Sequence, residues 1–296
     1  MKTILIIIIT VFSLTVSYPQ NKNPRLNKTT TSLNFQKIDI NQWKYWMSNM
    51  GQAATIFHGI MRPAEPGGFW PGGGQDPLKS PIDENGLIWI GKIDNKIVSS
   101  RCTVRFGQDP FLQAGKIYDD GTPANPNDNK NRVFRIRKGW ESMPIGPDRD
   151  QIEKDYNEWP AEDGAPWVDV DGDGVFFRGV DQPQYIGDEV LWCVSNDMDT
   201  TVVPYTYFDY ERLPWYTPQP IGLEVQSTLY GFSNAGDLGD LINYRYRIIN
   251  KSGKEITDMY LLYNSGIEFD DSLFYKYASG SCYIGVDTLM NLAYGY

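Results

Sequence analysis

Asp169–Asp181 reads DVDGDGVFFRGVD, the stretch of this chain whose residue types and spacing most resemble a site. Calcium loops place oxygen ligands at the first, third, fifth, seventh, ninth and twelfth positions, with glycine at the sixth for a sharp turn. Asp169, Asp171 and Asp173 fill the first, third and fifth positions, Gly174 fills the sixth, and Val175 offers its carbonyl at the seventh. Phe177 and Val180 stand at the ninth and twelfth, and Asp181 falls one residue late. Pro166 precedes the loop, and Pro183 and a strand pattern follow it, so the two long helices of an EF-hand are not expected. The candidate is a calcium loop between β elements, with ligands from Asp169, Asp171, Asp173, Val175 and Asp181. The competing reading is an Asp/Gly turn whose carboxylates cap local N–H groups. Three carboxylates within five residues repel one another unless solvated or bound to a cation, which tilts the sequence toward the ion. With half of the ligand pattern missing, the expected affinity is weak, on the order of 10⁻⁴–10⁻³ M.

Other chemistry is poorly supplied. The single histidine, His58, has no GxSxG or HExxH context and reads as structural or surface. The glycines of GGFWPGGG lack the lysine and following helix of a nucleotide loop. Glu268, Asp270 and Asp271 form a second acidic cluster that reads as an exposed loop. Glycoside hydrolysis needs only two carboxylates beside a sugar groove, and Glu158, Glu162, Asp209 and Glu211 are candidates. Nothing in their spacing selects a pair.

The elements that must hold these residues are mainly strands. Aromatics make up 14% of the chain, with 19 tyrosines, and long helical runs are nearly absent, which favours a β-rich fold with many turns. LINYRYRIIN alternates, with Ile242, Tyr244, Tyr246 and Ile248 on one face and Asn243, Arg245 and Arg247 on the other. LEVQSTLYGF alternates in the same way, and EVLWCVS reads as a buried strand. GLIWIGKI and KIVSSRCTVRF form a hairpin about Asp94 and Asn95. A second hairpin is expected to turn at Lys251–Glu255. RVFRIRKGW, Arg132–Trp140, reads as one strand with its arginines facing water. Asp39–Gly51 has a helical spacing of Trp43, Trp46, Met47 and Met50 and reads as a helix, with a strand as the alternative. Residues 106–168 are broken by Gly, Pro, Asp and Asn and read as long ordered loops.

The N-terminus carries Lys2 and the apolar run Ile4–Val16, followed by Ser17. This is the pattern of a secretory signal peptide, residues 1–17, too short for a spanning helix. Residues 18–38 read as a polar linker and 39–296 as the module. After signal cleavage no membrane span is expected. The net charge of −10 argues against nucleic acid as a partner. Cys102, Cys193 and Cys282 are far apart and read as buried small hydrophobes.

Several stretches together resemble one family: GGFWPGG at Gly67, GLIWIGKIDNKI at Gly86, DDGTPANPND at Asp119, RVFRIRKGW at Arg132 and WPAEDGAPWVDVDGDG at Trp159. IGDEVLWCVSND at Ile186, PIGLEVQSTLYGF at Pro220, YRIINKSG at Tyr246 and VDTLMNLAYGY at Val286 extend the set. They resemble the N-terminal region of large, uncharacterised secreted bacterial proteins that usually carry fibronectin-like modules and a C-terminal sorting domain for type IX secretion. The resemblance implies residence outside the cell or on its surface, and no reaction. It also implies that the chain, which stops at Tyr296 inside a motif, is part of a longer reading frame.

The expectation is therefore an all-β, mainly antiparallel, β-sandwich-like module with long loops and at most one or two short helices. Its function is expected to be structural or adhesive, with surface glycans or other extracellular proteins as partners and calcium as the stabilising ion. The alternative is a carbohydrate-binding or carbohydrate-active extracellular protein.

Overall fold

The computed structural model describes residues 34–54, 67–70, 81–101, 112–199, 220–233, 236–267 and 284–295. The segment expected to be a signal peptide, most of the segment expected to be a linker, His58, Cys102, Asp209, Glu211, Glu268, Asp270, Asp271 and Cys282 lie outside the described residues. The strands in chain order are β1 (Phe35–Ile38), β2 (Lys44–Ser48), β3 (Gly68–Phe69), β4 (Ile82–Ile93), β5 (Lys96–Arg101), β6 (Gln113–Ala114) and β7 (Phe134–Arg137). The helix α1 (Pro147–Asn157) follows, then β8 (Trp167–Val168), β9 (Gln182–Pro183), β10 (Glu189–Asn196), β11 (Leu223–Gly231), β12 (Asn243–Asn250), β13 (Thr257–Ile267), β14 (Ile284–Asp287) and β15 (Leu292–Gly295).

The fold is all-β and sandwich-like. One sheet runs β1-β2-β3-β4-β13, with β5 also on β4; the other runs β12-β11-β10-β6, with β7 also on β10. Two apolar clusters join the sheets. Tyr45 and Met47 meet Leu191, Cys193 and Leu229 in one, and Leu87 and Trp89 meet Leu223 and Val225 in the other. A third cluster lies on the far face of the second sheet, where Phe134, Ile136, Val190, Trp192 and Val194 pack on Trp159, Ala161 and Ala165. The second sheet is thus covered on both sides, and β10 and nearly all of β11 are buried. This explains why LEVQSTLYGF, expected to be half-exposed, is not: a third layer of loops and α1 covers the face its polar residues occupy.

The β4–β5 hairpin forms as expected. Asp94 and Asn95 both take positive φ, 51° and 61°, which matches the right-handed strand twist. The hairpin expected at Lys251–Glu255 does not form. β12 pairs with β11, whereas β13 pairs with β4, so residues 251–256 carry the chain from one sheet to the other. Tyr246, Ile248, Ile256 and Met259 then all pack against the same apolar cluster instead of sharing a ladder. The helix expected over Asp39–Gly51 is instead a bend that follows β1, then β2 and a turn. Pairing with β1 sets period two here, so Tyr45 and Met47 are buried while Trp46 between them is half-exposed. α1 lies in the segment expected to be loop. Pro147 opens it, Asp148 and Asp150 occupy its first turn and Lys154 its last, but only Ile152 and Asp155 are buried. Its apolar stripe is too thin to announce a helix.

RVFRIRKGW does form a strand, β7, but its arginines do not face water. Arg135 is 1% exposed. Its Nε donates to Glu189 Oε1 at 2.7 Å, Nη1 to Asp148 Oδ1 at 2.6 Å and Nη2 to Asp39 Oδ1 at 3.0 Å. Arg137 also donates to Glu189 Oε1, at 2.9 Å, and pairs with Asp39. Lys37 Nζ stands 2.9 Å from Asp39, so three cations face three carboxylates. Arg132 donates to Asp155 and to Glu158, both at 2.8 Å. Burial would raise the Asp39 pKa, but Arg135, Lys37 and Arg137 outweigh it and hold it below the ordinary value of 3.8.

Two outcomes follow. Glu189 is fully buried, and removing its charge leaves Arg135 and Arg137 under-compensated in the interior. Glu189→Gln is expected to cost about 3–5 kcal/mol in urea unfolding, and an unchanged midpoint contradicts this. Because the folded Asp39 pKa lies below the unfolded one, its contribution is fully present above pH 3.8 and is lost as pH falls through the folded value. Asp39→Asn is expected to flatten the acid limb of the stability–pH curve below about pH 4.

Candidate metal loop

The Asp-rich stretch stands where the sequence placed it, between β elements. β8 and β9 pair antiparallel, Trp167 against Pro183 and Val168 against Gln182, and close the base of the loop. The Trp167 and Phe176 rings meet edge to face at 5.6 Å. Both pack beside the third apolar cluster. Arg178 donates to the carbonyl of Asn157 at the end of α1 at 2.5 Å. The loop is therefore anchored at its base and on one flank, and its tip is open to solvent.

Asp181 is 5% exposed and organises the base. Its Oδ1 accepts from the Val170 N–H at 2.9 Å and its Oδ2 from the Phe177 N–H at 2.7 Å. Asp169 works at the tip, where its two oxygens accept from the N–H groups of Gly172 at 2.7 Å and Gly174 at 2.9 Å. Asp173 Oδ1 accepts from the Val175 N–H at 2.7 Å. Gly172 and Gly174 take φ of 80° and 79°, the left-handed region that glycine enters without strain. These glycines let the backbone fold around the aspartates.

The result brings Asp169, Asp171 and Asp173 together, one oxygen from each within 4.8 Å of the others, all three exposed. Asp171 has its pKa raised, first by partial desolvation and then by the charges of Asp173, Asp181 and Asp169. A hard divalent cation is the ligand that such oxygens suit. Asp181 is not one of the three, and it serves the loop as a backbone cap. Val175 is exposed, as are Phe177 and Val180, whose apolar side chains supply no ligand. Both sequence readings thus have a counterpart here: local capping by Asp169, Asp173 and Asp181, and a cluster of three carboxylates at the tip.

The described glycosidase candidates are each engaged elsewhere. Glu158 pairs with Arg132 at 2.8 Å and Glu162 with Arg178 at 3.7 Å. A polar cleft of about 210 Å³ lies beside Asn49, Asp128, Asn131, Arg132, Gln151 and Lys154. There the Asn49 amide already donates to the Asn131 carbonyl at 3.0 Å and Arg132 is held by Asp155. Sequence reasoning missed Trp43 and Trp70, which line a separate apolar cleft of about 250 Å³. The signal available was a tryptophan in the glycine-rich GGFWPGG loop, where few neighbours can bury it.

The division of labour in the loop can be measured without metal. Asp181→Ala leaves the Val170 and Phe177 N–H groups without their acceptor and is expected to cost about 1–3 kcal/mol in chemical denaturation. Asp171→Ala is expected to leave the midpoint unchanged, and equal losses at the two positions contradict the assignment.

Comparisons with protein family models, with curated proteins and with solved structures find no match to this chain.

Proposed function

We propose that this chain is an exported structural or adhesive β-module whose Asp169–Asp181 loop is braced by one calcium ion. The observation that carries the calcium part is the convergence of three exposed carboxylates on a loop whose base is independently closed by β8, β9 and Asp181. A loop built this way holds its ligands close together before the ion arrives, so the ion relieves repulsion at the tip and does not fold the module. The ligand count stays below the six to eight oxygens that calcium prefers, so water completes the shell and binding is weak. Export rests on the N-terminal apolar run and on the family resemblance. A second reading, a carbohydrate-binding module, is favoured by one observation, the half-exposed Trp70 beside an apolar cleft.

Calcium titration followed by thermal unfolding tests the first reading. Millimolar calcium is expected to raise the unfolding temperature of the native chain and to leave the Asp169→Asn/Asp171→Asn/Asp173→Asn variant unmoved. No shift at about 10 mM, tenfold above the affinity range of weak extracellular sites, removes calcium from the account. N-terminal sequencing of the exported product tests the leader, with Tyr18 expected as the first residue.

A further inference from the structure

We propose that the cleft between Trp43 and Trp70 is a binding site for one neutral pyranose ring of a glycan, stacked on the Trp70 indole with a hydroxyl on Asp240. This rests on the second reading and assigns it a place and a ligand class.

Two separated parts of the chain put tryptophans on the cleft, and a third stands beside it and holds them. Trp43 precedes β2, Trp70 follows β3, and Asp240 ends the short 3-10 turn Gly236–Asp240. Asp240 holds both rings. Its backbone carbonyl accepts from Trp43 Nε1 at 2.8 Å, and its Oδ1 accepts from Trp70 Nε1 at 3.1 Å. The turn is fixed in its own right, because the Gln42 N–H donates to the Gly239 carbonyl at 3.1 Å and the Asn41 amide to the Leu241 carbonyl at 3.0 Å. Trp43 is braced further by Tyr45, edge to face at 5.6 Å.

Trp70 remains 46% exposed although its indole N–H is satisfied. A large ring held in one orientation but not buried is a surface prepared for something to lie on. Preorganisation of this kind lowers the entropy lost on binding. Pro81, Ile82 and Ile267 complete an apolar wall, and the cleft of about 250 Å³ admits one ring, not a helix or a strand. With both indole N–H groups engaged, the tryptophans offer ring faces only, and these suit the C–H face of a pyranose.

The rim selects against other occupants. Asp240 is exposed, and its Oδ2 accepts no hydrogen bond from the described residues. A sugar hydroxyl can donate to it. An aromatic or aliphatic side chain of a partner peptide would desolvate this carboxylate and return no donor, a net cost. The same carboxylate, on a chain of net charge −10, repels sulfated sugars and uronic acids, so the ligand is neutral.

The test uses the full chain, saturation-transfer NMR and calorimetry, with methyl pyranosides and short oligosaccharides of glucose, galactose, mannose and N-acetylglucosamine, and with glucuronic acid as the charged control. At least one neutral sugar is expected to bind at millimolar concentration, with transfer to its ring C–H protons. Trp70→Ala is expected to weaken that binding by about tenfold or more, Trp70→Phe to retain part of it, and Asp240→Asn to leave a weaker stack that no longer discriminates against glucuronic acid. Chelation of calcium is expected to change nothing. A matching circular dichroism spectrum shows that each variant is folded. If no sugar binds the native chain, both the second reading and this site fall. If a sugar binds the native chain and folded Trp70→Ala equally, the module still binds carbohydrate and the site assignment is wrong. If the cleft takes an apolar peptide and no sugar, the ligand class is wrong.

Discussion

A guanidinium with almost no solvent must be surrounded by carboxylates, and the rest of this structure is arranged around that requirement at Arg135. An unpaired charge there would cost several kcal/mol, a large part of the stability of a domain. Its partners come from the chain just after β1, the first turn of α1 and the start of β10. The Asp39 N–H donates to Glu189 in turn, at 2.9 Å. Three segments far apart in sequence therefore cannot move independently. Asp148 also sits at the helix N-terminus, where a negative charge is favoured by the dipole. Two turns further along the same face, α1 holds Asp155, which takes Arg132 and the Arg135 N–H. The third layer is thus pinned to the second sheet by ions on one side and by Trp159, Trp192 and Phe134 on the other.

How far this was legible in the sequence depended on the range of the interaction. Features set by neighbours came through: the Asp94-Asn95 turn, the alternation of Tyr244, Tyr246 and Ile248, the continuous burial of EVLWCVS, and the placing of the Asp loop between strands. Features set by distant partners did not. RVFRIR alternates as a strand must, but which of its faces meets water depends on Asp39, Asp148 and Glu189, up to 96 residues away from Arg135. The pattern around Trp43 to Met50 fits both a period of 3.6 and a period of two, and pairing with β1 decides between them. KSGKE looked like a hairpin because two strands flank it, yet those strands belong to different sheets.

The Asp loop shows the same limit on a smaller scale. The spacing of Asp169, Asp171 and Asp173 did predict their convergence. It did not reveal that Asp181 is buried beneath them as a cap, because that depends on how β8 and β9 close the base. The loop and the tryptophan cleft are also built alike. In each, one aspartate fixes local geometry through hydrogen bonds, and the groups it positions are left exposed. Asp181 does this for the carboxylates at the tip, and Asp240 for the two indoles. Elsewhere a buried aspartate serves structure alone: Asp197 accepts the N–H groups of Ile221, Gly222 and Leu223 at the entrance to β11.

The central claim is that the ion braces a loop carried on a scaffold already complete without it. Amide hydrogen exchange with and without millimolar calcium addresses this most directly, because it reads each segment separately. The account predicts added protection confined to Asp169–Asp181, with β10 and β11 protected equally in both states. Protection that does not change, or that rises throughout the sandwich together, would contradict it.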